Sequence, residues 1–436
     1  MRRAWDARSV VPYFQPIVAV DRMQVVGYEV LGRLRTPHGV LSLGPFFQDS
    51  RVPAEEKTRV DRRVVRQALA LYARQASPAL LFLNVNPSWT EAALDRYRDE
   101  LLAEAARLGI APDRLVIEVT ENPSAGSDQA LRDAVERSRA AGCRVGLDDV
   151  GSGFSQLDRV ALLRPDFLKV DMRIVQRSTH AASYYHLLEG LSLIAQKLGS
   201  ELLVEGIESE AELAVALAVG ARYLQGFLFS PPREGWVEPD RYAPLVRRGL
   251  SALRHRRREQ MRKRACLQEQ LAARLRPEGE SLAADDGRDP RSCDRRLIRL
   301  LEHLPPYCYR LYVCDRDGYQ VSGNIERGPD GVTVDRSFAG ANWTTRPYCL
   351  RNIEEAARSR DGALSDPYRD HRTRQPTLTF TYAVTADRFV FVDCRLEDLD
   401  REGLLPDDTV RAAASPSPPL RPDAALPAAR QAAEES

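Results

Sequence analysis

The sequence predicts an α/β fold in which a (β/α)8 TIM-like barrel is followed by a smaller α+β domain. From Tyr13 to about Leu228, short apolar runs alternate with longer amphipathic runs, and glycine or proline marks most of the boundaries. Such alternation is typical of a parallel sheet. About eight apolar runs in roughly 250 residues favour a closed barrel over an open sheet.

The predicted strands are short runs rich in Val, Leu, Ile and Phe. They are Tyr13–Val20, Val25–Leu34, Leu80–Val85, Leu115–Thr120, Arg144–Leu147, Phe167–Val170, Leu202–Val204 and Tyr223–Leu224. Helical periodicity predicts Glu55–Gln75, Thr90–Leu108, Asp128–Ala141, Ser183–Leu198 and Ser209–Val219 between them. A short turn joins the first two strands, so one of them is expected to be antiparallel.

The composition is that of a globular protein with two or three domains. The chain has 436 residues, of which 43% are apolar and 29% charged, and its net charge of +1 points to no nucleic-acid partner. No apolar run reaches the ~18–20 residues that span a bilayer, and no apolar segment follows Met1–Arg8 as in a signal peptide. The seven scattered cysteines lack C-x-x-C spacing, so we expect a reduced, cytoplasmic protein without a zinc site.

The stretch from Cys143 to Leu157 gives the first indication of chemistry. A short apolar run ends in two adjacent carboxylates, Asp148 and Asp149, and a glycine turn then leads to a helix expected from Phe154. Carboxylates at a strand end suit Mg²⁺ or Mn²⁺. An Asp pair before a glycine turn is also typical of a helix cap, so this stretch alone leaves both interpretations open.

Polar side chains lie at or near the carboxyl end of seven predicted strands. They are Glu29 and Arg33, Asn84, Glu118, Asp148, Lys169 and Asp171, Glu205, and Gln225. In (β/α)8 enzymes this end of the barrel carries the catalytic groups. A single such residue would be explained as a satisfied polar group near a strand end, but the same placement on seven strands is not.

Carboxylates that meet at one place cannot all remain charged without cations between them. We therefore predict one or two divalent metal ions, with Lys169 as a fixed positive charge. Two metal ions that share carboxylates suit in-line attack of water on a phosphodiester.

Eight short motifs follow one another along the predicted barrel. They are Q-P-I (Gln15–Ile17), G-Y-E-V-L-G-R (Gly27–Arg33), N-V-N-P-S (Asn84–Ser88), I-E-V-T-E (Ile117–Glu121), D-D-V-G-S-G-F-S-Q-L (Asp148–Leu157), F-L-K-V-D (Phe167–Asp171), V-E-G-I-E (Val204–Glu208) and Q-G-F (Gln225–Phe227). Their order resembles the EAL domain family of cyclic di-GMP-specific phosphodiesterases over roughly Trp5 to Tyr242. The resemblance implies hydrolysis of cyclic di-GMP to linear pGpG with Mg²⁺ or Mn²⁺.

The resemblance also implies a role for each matched position. The first metal would be bound by Glu29, Asn84, Glu118 and Asp148, and the second by Asp149 and Asp171. Glu29, Lys169 and Glu205 would be catalytic: Lys169 would orient the attacking water, and Glu205 would bind the metal or its water. Substrate contacts would be Gln15, Leu31, Arg33, Glu208 and Gln225, and Glu121 would anchor the loop after Asp149 that couples dimerisation to activity in this family. A homodimer is therefore expected.

The chain departs from the family pattern without losing a metal ligand. Val30 gives E-V-L, Val150 stands where Phe is usual, Ser152 replaces Thr, and Phe154 replaces Tyr. Because Val150 and Ser152 lie in the coupling loop, the alternative is a catalytically weak receptor that binds cyclic di-GMP and signals by conformational change. The complete ligand set favours the hydrolase.

We expect four segments: a barrel at 5–242, a helical linker at 243–291, a second domain at 297–400 and a disordered tail at 404–436. The helical pattern ends at Leu275, and the composition of Arg276–Arg291 is that of a linker. The basic run Arg254–Arg264 could bind anionic lipid or nucleic acid, but a solvated helix face is the simpler explanation.

The second domain resembles a PAS/Cache-like sensor. A hairpin is predicted from Cys308–Cys314 and Tyr319–Val321, a helix to about Arg358, and strands at Leu378–Val384 and Phe389–Cys394. The candidate residues for an unidentified anionic or zwitterionic small ligand are Trp343, Arg346, Tyr348, Asp366 and Asp370. The equal alternative is a structural cap or dimerisation domain in which Arg346 pairs internally with Asp366.

Overall fold

The structure is a computed structural model, and it describes residues 9–75, 78–85, 91–119, 128–151, 156–283, 290–359 and 361–405. These residues form two compact units that divide between Leu253 and Arg254. Most of the tail expected at 404–436 lies outside the described residues. No helix within the described ranges is long and apolar enough to cross a membrane.

The first unit is a closed barrel of eight strands with helices between them. The strands are β1 (Val10–Ala19), β2 (Gln24–Thr36), β4 (Leu80–Val85), β5 (Leu115–Val119), β6 (Arg144–Val150), β7 (Phe167–Val170), β8 (Glu201–Val204) and β9 (Tyr223–Leu224), and β3 (Gly39–Ser42) extends β2 as a hairpin. The helices are α1 (Gly44–Gln48), α2 (Ala54–Gln75), α3 (Glu91–Arg107), α4 (Asp128–Ala140), α5 (Gln156–Leu163), α6 (Met172–Ser178), α7 (Ala182–Leu198) and α8 (Glu210–Ala218). The predicted (β/α)8 barrel is confirmed.

Strand β1 is antiparallel to both of its neighbours in the barrel, β2 and β9. The other barrel strands pair in parallel. The expectation of an antiparallel strand at the start of the barrel is therefore correct. The β1–β2 register places Gln15 opposite Glu29, which brings two of the predicted site residues together.

A layer of apolar side chains fills the interior of the barrel. Its members are Ile17, Ala19, Leu80, Phe82, Val116, Phe167, Leu203 and Tyr223, all at most 7% exposed. A larger apolar cluster packs the helices against the outside of the strands. Because the interior is filled, the barrel leaves space for ligands only at its ends.

Strand β3 and helix α6 were not expected from the sequence. Every residue of β3 is exposed, so it has none of the alternation between buried and exposed positions that marks a strand. Helix α6 has seven residues, too few to show a helical period, and the side chain of Asp171 caps its first turn.

The second unit is an antiparallel sheet with helices on both faces. Its strands are β10 (Cys308–Asp315), β11 (Asn324–Gly328), β12 (Gly331–Asp335), β13 (Ala363–Leu364), β14 (Tyr368–Arg369), β15 (Pro376–Ala383) and β16 (Arg388–Arg395), in the order β12-β11-β10-β16-β15-β13 with β14 beside β15. The helices are α9 (Ala243–Ala283), which begins before residue 254, α10 (Pro290–His303), α11 (Cys349–Arg358) and α12 (Leu396–Arg401). Leucines of α9, α10 and α12 pack on one face of the sheet, and α11 packs on the other.

One prediction for this unit was wrong and another was correct in part. Helix α9 continues past Leu275 to Ala283 despite Pro277, because Leu275 and Leu282 are buried in the apolar core and packing outweighs the local preference. The predicted turn at Asp315–Gly318 is present, since Asp315 N donates to the Tyr319 carbonyl and Val321 N to the Val313 carbonyl, but Tyr319–Val321 forms a single bridge at Gln320 rather than a strand, and β11 is the neighbouring strand of β10.

Candidate active site at the carboxyl ends of the barrel strands

The polar residues of the site follow the apolar interior layer along the same strands. Side chains alternate between the two faces of a strand, so a residue two positions after an inward apolar side chain also points inward. The successive inward pairs are Phe82 and Asn84, Val116 and Glu118, Phe167 and Lys169, Leu203 and Glu205, and Tyr223 and Gln225. The inward-facing side chains therefore change from apolar to polar between one inward position of each of these strands and the next.

Lys169 lies at the centre of this polar layer and is fully buried. Its Nζ atom is 2.5 Å from Glu118 Oε1, 2.6 Å from Glu205 Oε1 and 3.0 Å from Asp148 Oδ1. Glu29 Oε2 is 3.9 Å away. One ammonium thus faces four carboxylates, and the cluster carries an excess of negative charge.

The pKa values of these groups reflect burial and mutual repulsion. Burial raises the pKa of Glu118 and Glu205 well above the usual value, and the neighbouring carboxylates add to the effect against the opposing charge of Lys169. Burial alone would lower the pKa of Lys169, but the four surrounding carboxylates together raise it well above its usual value. Lys169 therefore stays protonated, and the excess negative charge is borne by the carboxylates.

Hydrogen bonds from two amides hold Glu29. Asn84 Nδ2 donates to Glu29 Oε1 at 2.9 Å, and Gln225 Nε2 donates to Glu29 Oε2 at 2.6 Å. Gln225 is also 3.1 Å from Gln15 Oε1, and Gln15 donates to the carbonyl oxygen of Ser230. Gln15 and Gln225 are 8% and 3% exposed, so in this structure they position Glu29 more than they present a surface to a substrate.

The second predicted metal site contains Asp149 and Asp171. A register shift in β6 and a positive φ of 59° at Asp149 let two consecutive carboxylates lie at the same end of the barrel. Burial raises the pKa of Asp149 to about 6, and the charges of Asp148 and Asp171 contribute. Arg173, which the sequence analysis missed, contacts Asp171 Oδ1 at 3.0 Å through Nε. Its only signal was the D-M-R spacing at the start of α6.

The remaining predicted site residues lie around this centre or outside the described residues. Arg33 is half-buried, donates to the Gly32 carbonyl and lies 5.9 Å from the Tyr13 ring, and Leu31 is half-buried. Glu208 is exposed at the start of the segment that leads to α8. Glu121, Ser152 and Phe154 fall outside the described residues.

The donor set suits a hard divalent cation. It consists of carboxylates and an amide, and both oxygens of Glu118 and Oε1 of Glu205 are buried without a hydrogen-bond partner among the described residues. The contacts to Lys169 are close but lack hydrogen-bond angles. No three His, Cys, Asp or Glu side chains in the described part of the chain are already arranged around one metal position. The residues thus fit a metal by chemistry and would need to reorient to bind it.

In the second unit, four of the five candidate ligand residues line one cavity. They are Trp343, Arg346, Tyr348 and Asp370. Asp366 is exposed and does not line the cavity, because it pairs with Arg351 at 3.2 Å. The Arg346–Asp366 pair, which belonged to the alternative of a structural cap, is therefore wrong: Arg346 Nη2 instead donates to His371 Nδ1 at 2.9 Å.

Comparison with known families matches residues 1–232 to the EAL domain. The chain belongs to the EAL domain family. Residues 237–405 match a second model, the EAL-domain associated signalling protein domain. The C-terminal domain is thus assigned to that signalling family, and its resemblance to PAS/Cache modules stays a prediction.

The relatives of this EAL protein include one that matches both units. The uncharacterized EAL-domain containing protein YkuI of Bacillus subtilis is 33% identical over 398 residues, which cover 91% of this chain and 97% of YkuI. The crystal structure of YkuI in complex with substrate c-di-GMP and calcium has a TM-score of 0.82 at 32% identity and covers 89% of this chain and 97% of that one. The cyclic di-GMP phosphodiesterase RocR of Pseudomonas aeruginosa is 31% identical over 238 residues, 53% of this chain and 59% of RocR.

Proposed function

We propose that this protein is a metal-dependent phosphodiesterase that hydrolyses cyclic di-GMP to linear pGpG. The observation that carries the proposal is the buried Lys169 ammonium among four carboxylates at the carboxyl end of the barrel. A site of this kind has too much negative charge to serve as a structural ion pair. The charge suits divalent cations, and divalent cations suit a phosphodiester.

The metal ligands we propose are Glu29, Asn84, Glu118 and Asp148 for one ion, and Asp149 and Asp171 for another. When bound, Mg²⁺ or Mn²⁺ would supply an activated water and neutralise charge on the phosphodiester. Gln225 and Asn84 would hold the Glu29 carboxylate in one orientation through the hydrogen bonds described above.

Lys169 and Glu205 would act on the reacting groups themselves. The Lys169 ammonium, fixed by burial, would stabilise negative charge that develops during hydrolysis. Glu205, whose pKa burial raises, would accept a proton from the attacking water at its carboxylate. Arg33 and Leu31, at the same end of the barrel, would contact the phosphate and the nucleotide.

Two relatives support the substrate. YkuI, similar to this chain over both units, was crystallised with substrate c-di-GMP and calcium. RocR, similar over the barrel, is named a cyclic di-GMP phosphodiesterase. The match of residues 237–405 to a signalling domain supports a further part of the proposal, that the C-terminal domain regulates the rate. Homodimerisation is also proposed, from the family resemblance.

The decisive experiment is to incubate the full chain with cyclic di-GMP and Mg²⁺ or Mn²⁺ and to follow the products by chromatography. We expect linear pGpG that is no longer formed after chelation of the metal. Binding of cyclic di-GMP without any product would contradict the hydrolase and support the receptor.

Substitution of Glu29 by Ala tests the metal site. We expect loss of turnover and weaker metal binding measured by calorimetry, because the variant removes a carboxylate that Asn84 and Gln225 hold in place. Glu189→Ala is the matched control, since Glu189 is an exposed residue of α7 that pairs with His186. Undiminished activity of Glu29→Ala would remove the metal assignment.

A further inference from the structure

We propose that the second unit binds a small organic carboxylate in the cavity beside Arg346. The sequence patterns left open whether a ligand would be anionic or zwitterionic, and whether there is a ligand at all. The contacts in the cavity select an anion. This inference does not depend on the hydrolase activity proposed for the barrel.

The cavity has a volume of about 30 Å³, and its floor is made of buried polar groups. Arg310, Gln320 and Asn324 line it and are 6%, 1% and 5% exposed. Burying three polar side chains around a space in a domain core costs free energy unless they serve each other or a ligand. The volume admits about one water molecule or one carboxylate group, so the body of a ligand would extend outwards.

The carboxylates near the cavity are already engaged. Asp370 Oδ2 accepts from Arg310 Nη2 at 2.6 Å, and its Oδ1 accepts from the Thr373 backbone and hydroxyl at 2.8 and 3.0 Å. Asp393 accepts from Arg310 Nε and from the Thr379 hydroxyl, both at 2.6 Å. Arg310 holds the pKa of Asp370 at about 2 despite partial burial. Neither carboxylate is left to receive the ammonium of a zwitterion.

Hydrogen-bond donors, by contrast, remain available. Arg346 donates through Nη2 to His371, and no carboxylate among the described residues lies within 4.0 Å of its guanidinium. Asn324 accepts from Gln320 through Oδ1, and within the described ranges its amide nitrogen donates to no residue. The Asn324 amide and the Arg346 N–H groups that do not contact His371 thus leave donors for the two oxygens of a carboxylate.

Aromatic rings lie beside Arg346 and line the cavity. The Arg346 guanidinium lies 5.7 Å from the centre of the Trp343 ring, and Trp343 Nε1 donates to Gln320 Oε1 at 2.9 Å. Tyr348 and Tyr368 stack at 4.7 Å on the wall of the cavity. These rings fix the position of the guanidinium and offer an apolar surface to the body of a ligand.

The test uses the full chain and benzoate as the probe, because benzoate joins a carboxylate to a flat apolar body. Calorimetry should show binding of benzoate, and benzamide, its neutral analogue, should bind at least roughly tenfold more weakly because it lacks the charge that Arg346 recognises. Binding of inorganic phosphate is measured in parallel, to distinguish a carboxylate site from a phosphate site. Equal binding of benzoate and benzamide, binding of phosphate alone, or no binding of benzoate would each overturn the proposal.

Arg346→Gln tests the residue itself. Its benzoate affinity should fall by roughly tenfold or more. Arg346→Lys keeps the charge without the bidentate geometry, so its benzoate affinity should lie between those of Arg346→Gln and the original protein. Arg351→Gln is the matched control on α11, outside the cavity, and should bind benzoate unchanged. If Arg346→Gln and Arg351→Gln, both folded by circular dichroism, bind benzoate equally, Arg346 is not the recognition group.

Discussion

Each unit of the molecule buries one cation among carboxylates, and the two arrangements differ in how complete they are. In the barrel, Lys169 faces four carboxylates through contacts that lack hydrogen-bond angles. In the second unit, Arg310 makes directed hydrogen bonds to Asp370 and Asp393. Glu326, 3.7 Å from Arg310, also contacts Arg372.

This difference is what we expect between the proposed reactive centre and a structural ion-pair network. A buried charge network whose members are all hydrogen-bonded stabilises one conformation and leaves nothing for a ligand to complete. A network with buried oxygens that lack partners among the described residues, as in Glu118, is costly until a cation completes it. We therefore assign chemistry to the Lys169 cluster and support of the fold to the Arg310 cluster, with ligand binding beside it at Arg346.

Replacing Lys169 with Met should produce the largest effect. Hydrolysis of cyclic di-GMP should fall on the order of 10³-fold, because the buried ammonium among the four carboxylates is lost. The protein should remain folded, since carboxylates whose pKa is already raised can take up protons. Chromatography of pGpG formation measures the rate.

Lys197→Met is the control, because Lys197 is an exposed residue in the last turn of α7. If Lys169→Met kept more than a tenth of the original rate, the distinction between a reactive and a structural cluster would fail.

Replacing Arg310 with Met should act on stability instead. Removing one member of a buried pair leaves Asp393 and Asp370 without their cation and should cost about 3–5 kcal/mol. Hydrogen exchange of the β10, β15 and β16 amides reports on this unit directly. Arg351→Met, which removes an exposed pair with Asp366, should change exchange by less than about 1 kcal/mol. Equal protection in the two variants would show that the Arg310 network does not stabilise the unit.

Asp61 of α2 gives a third test with a smaller expected effect. One oxygen of its carboxylate is buried without a hydrogen-bond partner among the described residues, and no cation is paired with it there. Burial raises its pKa to about 7, against the opposing effects of a Tyr97 hydrogen bond and the Arg62 charge. The folded protein therefore binds this proton more tightly than the unfolded chain. The contribution of Asp61 to the free energy of unfolding should decrease by on the order of 3 kcal/mol as pH rises from about 5 to about 8.

Asp149, Glu118 and Glu205 also have raised pKa values and give the barrel a pH dependence of their own. Asp61→Asn should remove only the decrease due to Asp61, as measured by urea unfolding of the barrel at pH 5 and pH 8. Asp113→Asn, at an exposed position before β5, should keep it. An unchanged pH dependence in Asp61→Asn would show that the proton on Asp61 does not stabilise the barrel.

The sequence predicted the barrel well because its buried strands are short and strongly apolar. Leu80–Val85, Phe167–Val170 and Tyr223–Leu224 have the expected bounds. The sequence did not predict three features that lack a clear period: the exposed strand β3, the seven-residue helix α6, and the continuation of α9 past Pro277. Pairing with β2 forms β3, the Asp171 cap begins α6, and packing of Leu275 and Leu282 extends α9, none of which a pattern of apolar residues encodes.

The site was predicted in its membership but not in its contacts. The inward direction of Glu118, Lys169 and Glu205 follows from their position two residues after a core side chain. Which atoms pair does not follow: Gln225 reaches Glu29 from a strand 196 positions away, and Asp366 selects Arg351 over Arg346. Such choices depend on side-chain rotamers that only the assembled fold defines.

The antiparallel strand β1 has a consequence for how the protein forms during synthesis. Its pairing with β2 is local and can form early, but its other edge pairs Val18 with Leu224 and must wait for the rest of the barrel. Until then the nascent chain carries an unsealed sheet edge. The Gln15–Gln225 contact crosses the same seam, so the ribosome must deliver the last strand before Glu29 acquires its final hydrogen bond. The hydrogen bonds that orient Glu29 can therefore form only after the barrel has closed.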